Sequence, residues 1–288
     1  MSNDAPYASL TPDLVLDAVS ACGLWPDGRL LALNSYENRV WQVGLERVGL
    51  EPAAPVIAKF YRPGRWSDAA IVEEHTFAQE LADAELPVVA PLAFGGRTLQ
   101  HHAGFRYALT PRRGGRAPEL EAIDQLQWLG RLIARMHLIG ARAPFAHRGR
   151  LDRDTMVQQP MLAVLGSFLL PPSLQTNYRA AATRLDAAIA ARLEAIGPVR
   201  QLRLHGDCHP GNVLWTDAGP HFVDFDDART GPAVQDLWML AGDERAMEAV
   251  LEGYQQFRDF DHAELALIPA LRAMRQLHYA GWIAARWH

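Results

Sequence analysis

The densest group of chemically useful side chains lies in residues 204–215, which read Leu-His-Gly-Asp-Cys-His-Pro-Gly-Asn-Val-Leu-Trp. An apolar run delivers Asp207 into a tight loop with Gly and Pro, Asn212 follows five positions later, and a second apolar run ends in the acids of residues 224–227. One carboxylate at such a spacing can orient a hydroxyl and accept its proton, while an amide and a second carboxylate offer hard oxygen ligands to Mg²⁺. The pattern therefore predicts phosphoryl transfer.

Lys59 is the only lysine of the chain, although the sequence contains 28 residues of the Lys and Arg types. A genomic base composition that favours Arg and Ala codons explains the bias itself. Arginine serves surface solubility and ion pairing, but it cannot always replace a compact ammonium group, because the two side chains differ in shape, hydration and donor geometry. The single lysine is therefore a candidate functional residue.

The composition is typical of a folded protein, since 49% of the 288 residues are hydrophobic, 21% are charged and the formal net charge is −5. This mildly acidic balance argues against general binding to nucleic acid or to an anionic membrane, which need a basic face. The apolar runs fall short of the ~20 residues that span a bilayer. Residues 1–10 lack a basic start, so we expect no secretory signal. With only Cys22 and Cys208 present, we expect no disulfide framework and a cytoplasmic location.

Capping residues and apolar periodicity predict the order of the elements. Thr11 and Pro12 begin a helix over residues 11–21, and Ser67 begins a helix to about residue 83. Strand patterns cover residues 30–33, 39–43, 55–61 and 105–110, and residues 86–91 are extended. His101 and His102 fall in a predicted solvated turn. Helices follow over residues 123–139, 177–196, 246–257 and 263–287, interrupted by short strands at 201–204, 213–215 and 221–223.

This order predicts an α+β protein with two domains, because a strand-rich part precedes a mainly helical part. We place the first domain at residues 1–111 and the second at residues 112–288. The glycines of residues 112–116 form the predicted hinge.

Several segments together resemble a known family. The His-Gly-Asp loop with Asn five positions after its Asp, followed by a strand that ends in Asp-Phe-Asp, resembles the aminoglycoside phosphotransferase and choline kinase branch of the protein-kinase-like fold. Within that branch the chain is similar to the bacterial stress response kinase A family. The segments that carry this similarity are residues 33–40, 59–63, 73–75, 204–212, 223–229 and 231–238. The similarity runs from the first helix to Trp287, and we expect that a further C-terminal segment of the family is either absent from this protein or not included in this sequence.

The resemblance implies a role for each matching residue. It implies that Asp207 is the catalytic base, that Asn212 and Asp224 bind Mg²⁺, and that Lys59 holds the α- and β-phosphates of ATP. It further implies that Glu74 pairs with Lys59, with Glu73 as the alternative. Ser35, Thr110 and Arg112 would lie near ATP. Asp236 would brace the backbone of the catalytic loop. The turn of residues 34–39 has no glycine, so its backbone N–H groups and the Ser35 hydroxyl would have to serve the phosphates.

Other interpretations of these residues stay open. His205, Cys208 and His209 could form a zinc cluster, although a second half with zinc-ligand spacing is missing from the sequence. Cys208 could be redox-sensitive, although neighbouring carboxylates lower thiol reactivity. Asp226 could be a further metal ligand or a loop acid. The basic cluster Arg112, Arg113 and Arg116 could be a solvated face or could contact a phosphorylated or peptide substrate. A set of aromatic residues could form part of the core or a cage for a quaternary ammonium group; it consists of Trp238, Tyr254, Phe257, Tyr279, Trp282 and Trp287.

We therefore expect a bilobal kinase-like α+β protein with an antiparallel-sheet first lobe, a helical second lobe and ATP between them, its adenine against residues 108–112. The expected activity is ATP- and Mg²⁺-dependent phosphorylation of serine or threonine in proteins, including this protein itself. The alternatives are a small-molecule kinase for an aminoglycoside, choline, homoserine or a sugar, and a nucleotide-binding scaffold without catalysis. The mild net charge of −5 disfavours polycationic aminoglycosides. We expect a monomer that binds neither nucleic acid nor membrane.

Overall fold

The structure, a computed structural model, describes residues 6–46 and 53–286, so Trp287 lies outside the described residues. The helices are α1 (Pro12–Ser20), α2 (Asp68–Asp83), α3 (Ile123–Gly140), α4 (Gln159–Gly166), α5 (Pro172–Ile196), α6 (Glu244–Tyr254) and α7 (Ile268–Ala284). The strands are β1 (Pro26–Leu33), β2 (Arg39–Leu45), β3 (Val56–Phe60), β4 (Gln100–His102), β5 (Phe105–Pro111), β6 (Leu202–Leu204), β7 (Val213–Thr216), β8 (Gly219–Phe222) and β9 (Arg229–Gly231). The predicted α+β class is confirmed.

The chain forms two compact units, and each unit consists of two separate segments of the sequence. The first holds the residues up to Ala117 together with Val213–Asp226, and the second holds Pro118–Asn212 together with the residues from Asp227 onward. The cut expected between residues 111 and 112 differs from this division. The segment Val213–Asp226 returns to the first unit because β8 exchanges backbone hydrogen bonds with residues 87 and 89, at 2.8 and 3.0 Å.

The first unit is built on a five-stranded antiparallel sheet in the order β1-β2-β3-β5-β4. Alternation along β3 buries Val56, Ala58 and Phe60 in the core beneath the sheet and leaves Ile57 and Lys59 half-buried on the opposite face. Lys59 pairs in register with Val40 of β2 and Ala108 of β5. The period of two along this central strand therefore separates the lysine from the apolar core.

Side-chain caps fix the two helices of this unit where the sequence predicted them. The Thr11 hydroxyl accepts from the Leu14 N–H at 3.2 Å to begin α1, and the Ser67 hydroxyl accepts from the Ala70 N–H at 3.1 Å to begin α2. The predicted turn at His101 and His102 is wrong, because both residues belong to the edge strand β4, which pairs with β5. This strand is only three residues long, too short to show an alternating pattern.

The second unit is mainly helical and contains the short pair β6-β9. The helix predicted over residues 263–287 is divided into a 3₁₀ segment, His262–Leu267, and α7, which begins beside Pro269. Proline cannot donate a backbone hydrogen bond, so it starts a helix more readily than it continues one. The sequence did not predict α4, which follows a π-helical turn at Asp154–Gln158, nor the three-residue strand β9. Among the described residues, no helix has the length and apolar character that crossing a membrane requires.

Helices α3 and α6 approach closely at two glycines. A Cβ atom at Gly130 would clash with the Val250 carbonyl oxygen, and one at Gly253 would clash with the Gln127 carbonyl oxygen. Backbone oxygens in helices cannot move aside without breaking hydrogen bonds, so this crossing requires both glycines.

We expect Gly130→Ala to lower the free energy of unfolding by about 2–3 kcal/mol, because the added methyl group forces α3 and α6 apart. The matched control is Gly166→Ala, where a Cβ meets no atom within 4 Å. Thermal unfolding should show the midpoint falling by about 2–4 °C per kcal/mol in the first variant only. Equal midpoints for the two variants would contradict the close crossing.

Candidate active site

Lys59 lies at the centre of a cluster of charges in the first unit. Its Nζ is 2.9 Å from Oδ1 of Asp224 and 3.3 Å from Oδ1 of Asp226, and it lies 5.3 Å from the ring centre of Tyr61. The side chain of Lys59 is 15% exposed. Burial alone would disfavour the charged ammonium, but the two carboxylates outweigh it and hold the pKa of Lys59 well above its ordinary value. The structure thus places a compact ammonium group here and favours its charged form.

Asp224 and Asp226 have different environments although only one residue separates them. The Asp224 side chain is 54% exposed, and its backbone has a φ of 61°, a left-handed conformation that residues other than glycine rarely adopt. The Asp226 carboxylate is buried and also binds Arg65 and the Asn38 amide, the latter at 3.2 Å. Asp224 is therefore the acid that solvent and ligands can reach, whereas Asp226 is held by its protein partners.

Ser35 lies in the turn between β1 and β2, and polar contacts of Glu37 and Asn38 hold the second half of this turn in place. The Asn38 side chain accepts from the Arg62 N–H at 3.1 Å, and Glu37 lies 3.6 Å from the Arg65 guanidinium. The Tyr7 hydroxyl donates to the Glu37 carbonyl oxygen at 3.1 Å. Ser35 itself is half-buried at the tip, so polar anchors hold this glycine-free turn.

Glu74 is the buried acid of the predicted pair on α2, at 5% exposure, and Glu73 is half-buried. The charge of Glu74 contributes to the raised pKa of Lys59, after the larger effects of burial and of Asp224 and Asp226. The ion pairs that the structure gives Lys59 are nevertheless with Asp224 and Asp226, rather than with the expected Glu74.

Thr110 and Arg112 lie at the end of β5, close in register to Lys59. Thr110 pairs with Ile57 and is half-buried, two residues along the strand from the pair of Lys59 and Ala108. Arg112 is exposed, and its Nε donates to the Gln42 side chain of β2 at 3.1 Å. The structure therefore brings Lys59, Asp224, Asp226 and the end of β5 into one unit.

The loop around Asp207 belongs to the second unit and is closed by its own hydrogen bonds. The Asp207 carbonyl oxygen accepts from the Asn212 amide at 2.9 Å and from the His209 N–H at 2.9 Å. Oδ1 of Asp207 accepts from the Arg275 guanidinium at 2.5 Å, and its Oδ2 lies 3.5 Å from Nε2 of His209. The Asp207 carboxylate is thus oriented from α7 while its backbone is held by Asn212.

A buried carboxylate supports this loop from below. Asp236 accepts the His205 and Gly206 N–H groups, each at 2.8 Å, and its Oδ2 lies 3.1 Å from Nε2 of His137. Gly206 has a φ of 84°, and a Cβ there would clash with the Asp227 carbonyl oxygen. The loop therefore requires glycine at this position and a carboxylate at Asp236, the brace that the family resemblance implied.

The residues of the alternative zinc cluster bind backbone groups instead. Nδ1 of His205 accepts from the Asp207 N–H at 3.4 Å, and Nδ1 of His209 accepts from the Gly211 N–H at 3.0 Å. Cys208 is completely buried, and burial, together with the charges of Asp236 and Asp207, raises the pKa of its thiol well above the ordinary value. A protonated, buried thiol is poorly reactive.

Each unit offers an oxygen donor of the kind that a hard divalent cation takes, Asn212 in the second unit and Asp224 in the first. The Asn212 nitrogen is engaged with the Asp207 carbonyl, so its amide oxygen is the atom that would act as a ligand. Asp224 is bound to Lys59 through Oδ1, and its exposed side chain presents carboxylate oxygen. Amide and carboxylate oxygens are the ligands that Mg²⁺ and Ca²⁺ take in proteins.

Sequence analysis missed two arginines of this site. Arg65 pairs with Asp226, 161 positions away, and Arg275 pairs with Asp207, 68 positions away. Neither arginine has a local motif, and the chain contains 28 Lys and Arg residues almost all of which are arginine. The only signal in the sequence was that Arg65 follows the Arg62-Pro63-Gly64 turn after Lys59.

Comparisons with known proteins define the class. The phosphotransferase enzyme family matches residues 29–268 of the chain. The solved structure of amicoumacin kinase hAmiN, in complex with AMP-PNP, Ca²⁺ and Ami, aligns with a TM-score of 0.74 over 93% of this chain and 85% of that one, at 18% identity. Similarity at this identity shows the fold, and it confirms the predicted kinase-like α+β fold. With the family match, the protein is an ATP-dependent phosphotransferase.

Two curated relatives make the assignment more specific. Stress response kinase A of Escherichia coli strain K12 is 44% identical over 293 residues, which cover 100% of this chain and 87% of that protein. Serine/threonine protein kinase RdoA of Salmonella typhimurium strain LT2 is 42% identical over 290 residues, which cover 99% of this chain and 86% of that protein. The chain belongs to the stress response kinase A family, as its motifs predicted.

We expect Asp236→Asn to lower the free energy of unfolding by about 3 kcal/mol, because the amide nitrogen would face a buried N–H group of the loop that precedes Asp207. The same change at Asp243 is the control, since Asp243 caps α6 and asparagine caps a helix equally well. Thermal unfolding compares the two variants. If the Asp236 variant were as stable as the Asp243 variant, the brace would be unnecessary.

Proposed function

We propose that this protein is a serine/threonine protein kinase that transfers the γ-phosphoryl group of ATP to hydroxyl groups of proteins, its own included. The observation that carries the proposal is the identity of 42–44% over essentially the whole chain with relatives named as stress response and serine/threonine kinases. An oriented carboxylate at Asp207, beside the amide of Asn212, supports the chemistry.

In this proposal the site residues have separate tasks in the transfer. Asp207 accepts the proton of the acceptor hydroxyl, whose oxygen bonds to the γ-phosphorus while the bond to the ADP oxygen breaks. Asn212 and Asp224 would hold Mg²⁺, which neutralises phosphate charge when bound. Lys59 would exchange its pairing with Asp224 for the α- and β-phosphates. The raised pKa of Lys59, which favours its charged form, suits that exchange.

The remaining residues have supporting roles in the proposal. The Ser35 turn would cover the phosphates, and Thr110 and Arg112 would line the adenine side at the end of β5. Glu74 would take over the pairing with Lys59 when Asp224 turns to the metal, since Glu74 already contributes to the electrostatic environment of the lysine. Arg275 would orient Asp207 toward the hydroxyl. We further propose that the protein acts as a cytoplasmic monomer.

The fold alone does not choose the acceptor, because the amicoumacin kinase of similar fold is named for a small molecule. A small-molecule kinase is therefore the competing function, and the nucleotide-binding scaffold is the second. The ordered set of Lys59, Asp207, Asn212 and Asp224 disfavours the scaffold, since a protein without catalysis has no need to orient Asp207.

We expect Asp207→Asn to lower kcat by about 10²- to 10⁴-fold with little change in ATP binding, because it removes only the base. Asp224→Asn should weaken Mg²⁺-dependent ATP binding at least tenfold, since it removes a metal ligand. The matched control is Asp217→Asn, which changes an exposed turn residue between β7 and β8. Calorimetric titration with a non-hydrolysable ATP analogue, together with a turnover assay, separates these effects. Unchanged kcat in the Asp207 variant would remove that residue from the base role.

The single lysine gives a direct test of the nucleotide site. An ATP derivative that acylates amines should modify Lys59 as its only lysine target, and excess ATP should block this modification. A small acylating reagent without a nucleotide should instead prefer the N-terminal amine, because Lys59 is buried and held protonated. Peptide mapping by mass spectrometry distinguishes the two amines. Modification of Lys59 by the ATP derivative that ATP leaves unaffected would place the lysine outside the nucleotide site.

The acceptor is tested by offering all candidates together. After incubation with Mg²⁺ and ATP, mass spectrometry should find phosphoserine or phosphothreonine on a general protein substrate and on this protein, and Asp207→Asn should abolish both. Choline, homoserine, sugars and aminoglycosides should stay unmodified. Rapid turnover of one of these small alcohols, with no phosphorylated protein, would establish the competing function.

A further inference from the structure

A second candidate binding site lies in the second unit, outside the catalytic loop. It is a cavity of about 400 Å³, lined by Leu138, Ala141, Arg142, Arg200, Phe257, Arg258 and Asp259. Three separate parts of the chain contribute its arginines, namely the end of α3, the segment before β6 and the segment after α6. Nothing in the phosphotransfer chemistry described above uses these residues.

The cavity carries an excess of positive charge. Among the residues that the structure describes, Arg142, Arg200 and Arg258 form no ion pair with a carboxylate, and Asp259 is the single acid of the lining. Guanidinium groups repel one another, so their convergence on one cavity favours an anion with several acceptor oxygens. Phosphate matches the planar donor pattern of arginine.

The cavity also has an apolar side. Phe257 is 48% exposed and Leu138 is 44% exposed, and both line the same space as the arginines. An inorganic anion would leave this surface in water, whereas an organic phosphate would cover it. The lining therefore fits a phosphomonoester with an apolar or aromatic group.

A hydrogen-bond chain connects this cavity to the catalytic loop within the same unit. Nη1 of Arg258 donates to the Tyr254 hydroxyl at 2.6 Å, which lies 2.8 Å from Nδ1 of His137. Nε2 of His137 lies 3.1 Å from Asp236, which accepts the N–H groups of His205 and Gly206.

The proton positions in this chain follow from burial. Tyr254, His137 and Asp236 are completely buried. Burial lowers the pKa of His137 despite its contact with Asp236, so the ring is neutral at physiological pH. A neutral ring accepts the Tyr254 proton at Nδ1 and donates from Nε2 to Asp236, so each donor in the chain polarises the next.

We propose that the cavity binds an organic phosphate through Arg142, Arg200 and Arg258, and that Arg258 transmits this binding to the catalytic loop through Tyr254, His137 and Asp236. A bound phosphate draws Arg258 away from the Tyr254 hydroxyl and weakens the chain that ends at the loop N–H groups. An effect on turnover rests on the proposed function, whereas binding and the response of the loop do not.

Phenyl phosphate is the probe for the binding step. Titration calorimetry should show binding that a saturating ATP analogue with Mg²⁺ does not displace, and benzyl alcohol should not bind. The double variant Arg142→Gln/Arg200→Gln should weaken binding at least tenfold. The control Arg179→Gln/Arg192→Gln removes the same charge from exposed positions of α5 and should stay within twofold of the parent. Equal affinity in the two double variants, or displacement by the ATP analogue, would overturn the site.

Amide hydrogen exchange at His205 and Gly206 tests the transmission step without an activity assay. Saturating phenyl phosphate should accelerate exchange at both amides at least threefold. Tyr254→Phe keeps the three arginines but breaks the chain, so it should bind the probe and lose the acceleration. Arg258→Gln removes the contact of Arg258 with the Tyr254 hydroxyl without changing a completely buried residue, and it serves as the second variant in case Tyr254→Phe unfolds the protein. Unchanged or slower exchange in the parent, or acceleration that persists in both variants, would overturn the coupling.

Discussion

The loop that carries the candidate base Asp207 depends on the hydrogen bonds that the buried Asp236 carboxylate accepts. A fully buried carboxylate is costly unless donors surround it. Here the N–H groups of His205 and Gly206 and the ring of His137 supply those donors. Because two of them are consecutive backbone groups, neutralising the buried charge also fixes the backbone immediately before Asp207. The electrostatic requirement of one residue thus determines the position of the candidate base.

A buried charge also organises the first unit, but there the buried group is a cation and its partners are carboxylates. Lys59 is a nearly buried cation, and Asp224 and Asp226 compensate its charge. Asp226 in turn binds Arg65 and Asn38, which connects the compensation to the turn that carries Ser35. In each unit a buried charge is thus satisfied by groups from distant parts of the sequence, and the functional loops are held by those contacts rather than by apolar packing.

This division explains what the sequence could predict. Caps and periodicity are local, so they located α1, α2 and β3, and the interval from Asp207 to Asn212 is local too, so it singled out the candidate catalytic loop. The partners of the charged groups are not local, because folding brings Arg275 to Asp207 across 68 positions and Arg65 to Asp226 across 161. The ion pairs of Lys59 with Asp224 and Asp226 are non-local for the same reason, because folding brings these residues together. Spacing identified the acids, but only the folded backbone decides which of them contacts the lysine.

The strand position of Lys59 gives a physical reason for the single lysine. Arg65 also contacts two carboxylates through one nitrogen, since its Nη1 lies 3.6 Å from Oε2 of Glu37 and also binds Oδ2 of Asp226. At Lys59 two carboxylate oxygens converge on one nitrogen atom, at 2.9 and 3.3 Å, from a strand position between the buried residues Ala58 and Phe60. A guanidinium is a larger, planar group, so it does not replace that compact point charge between buried residues. A composition that otherwise favours arginine therefore retains lysine where the geometry requires a small ammonium group.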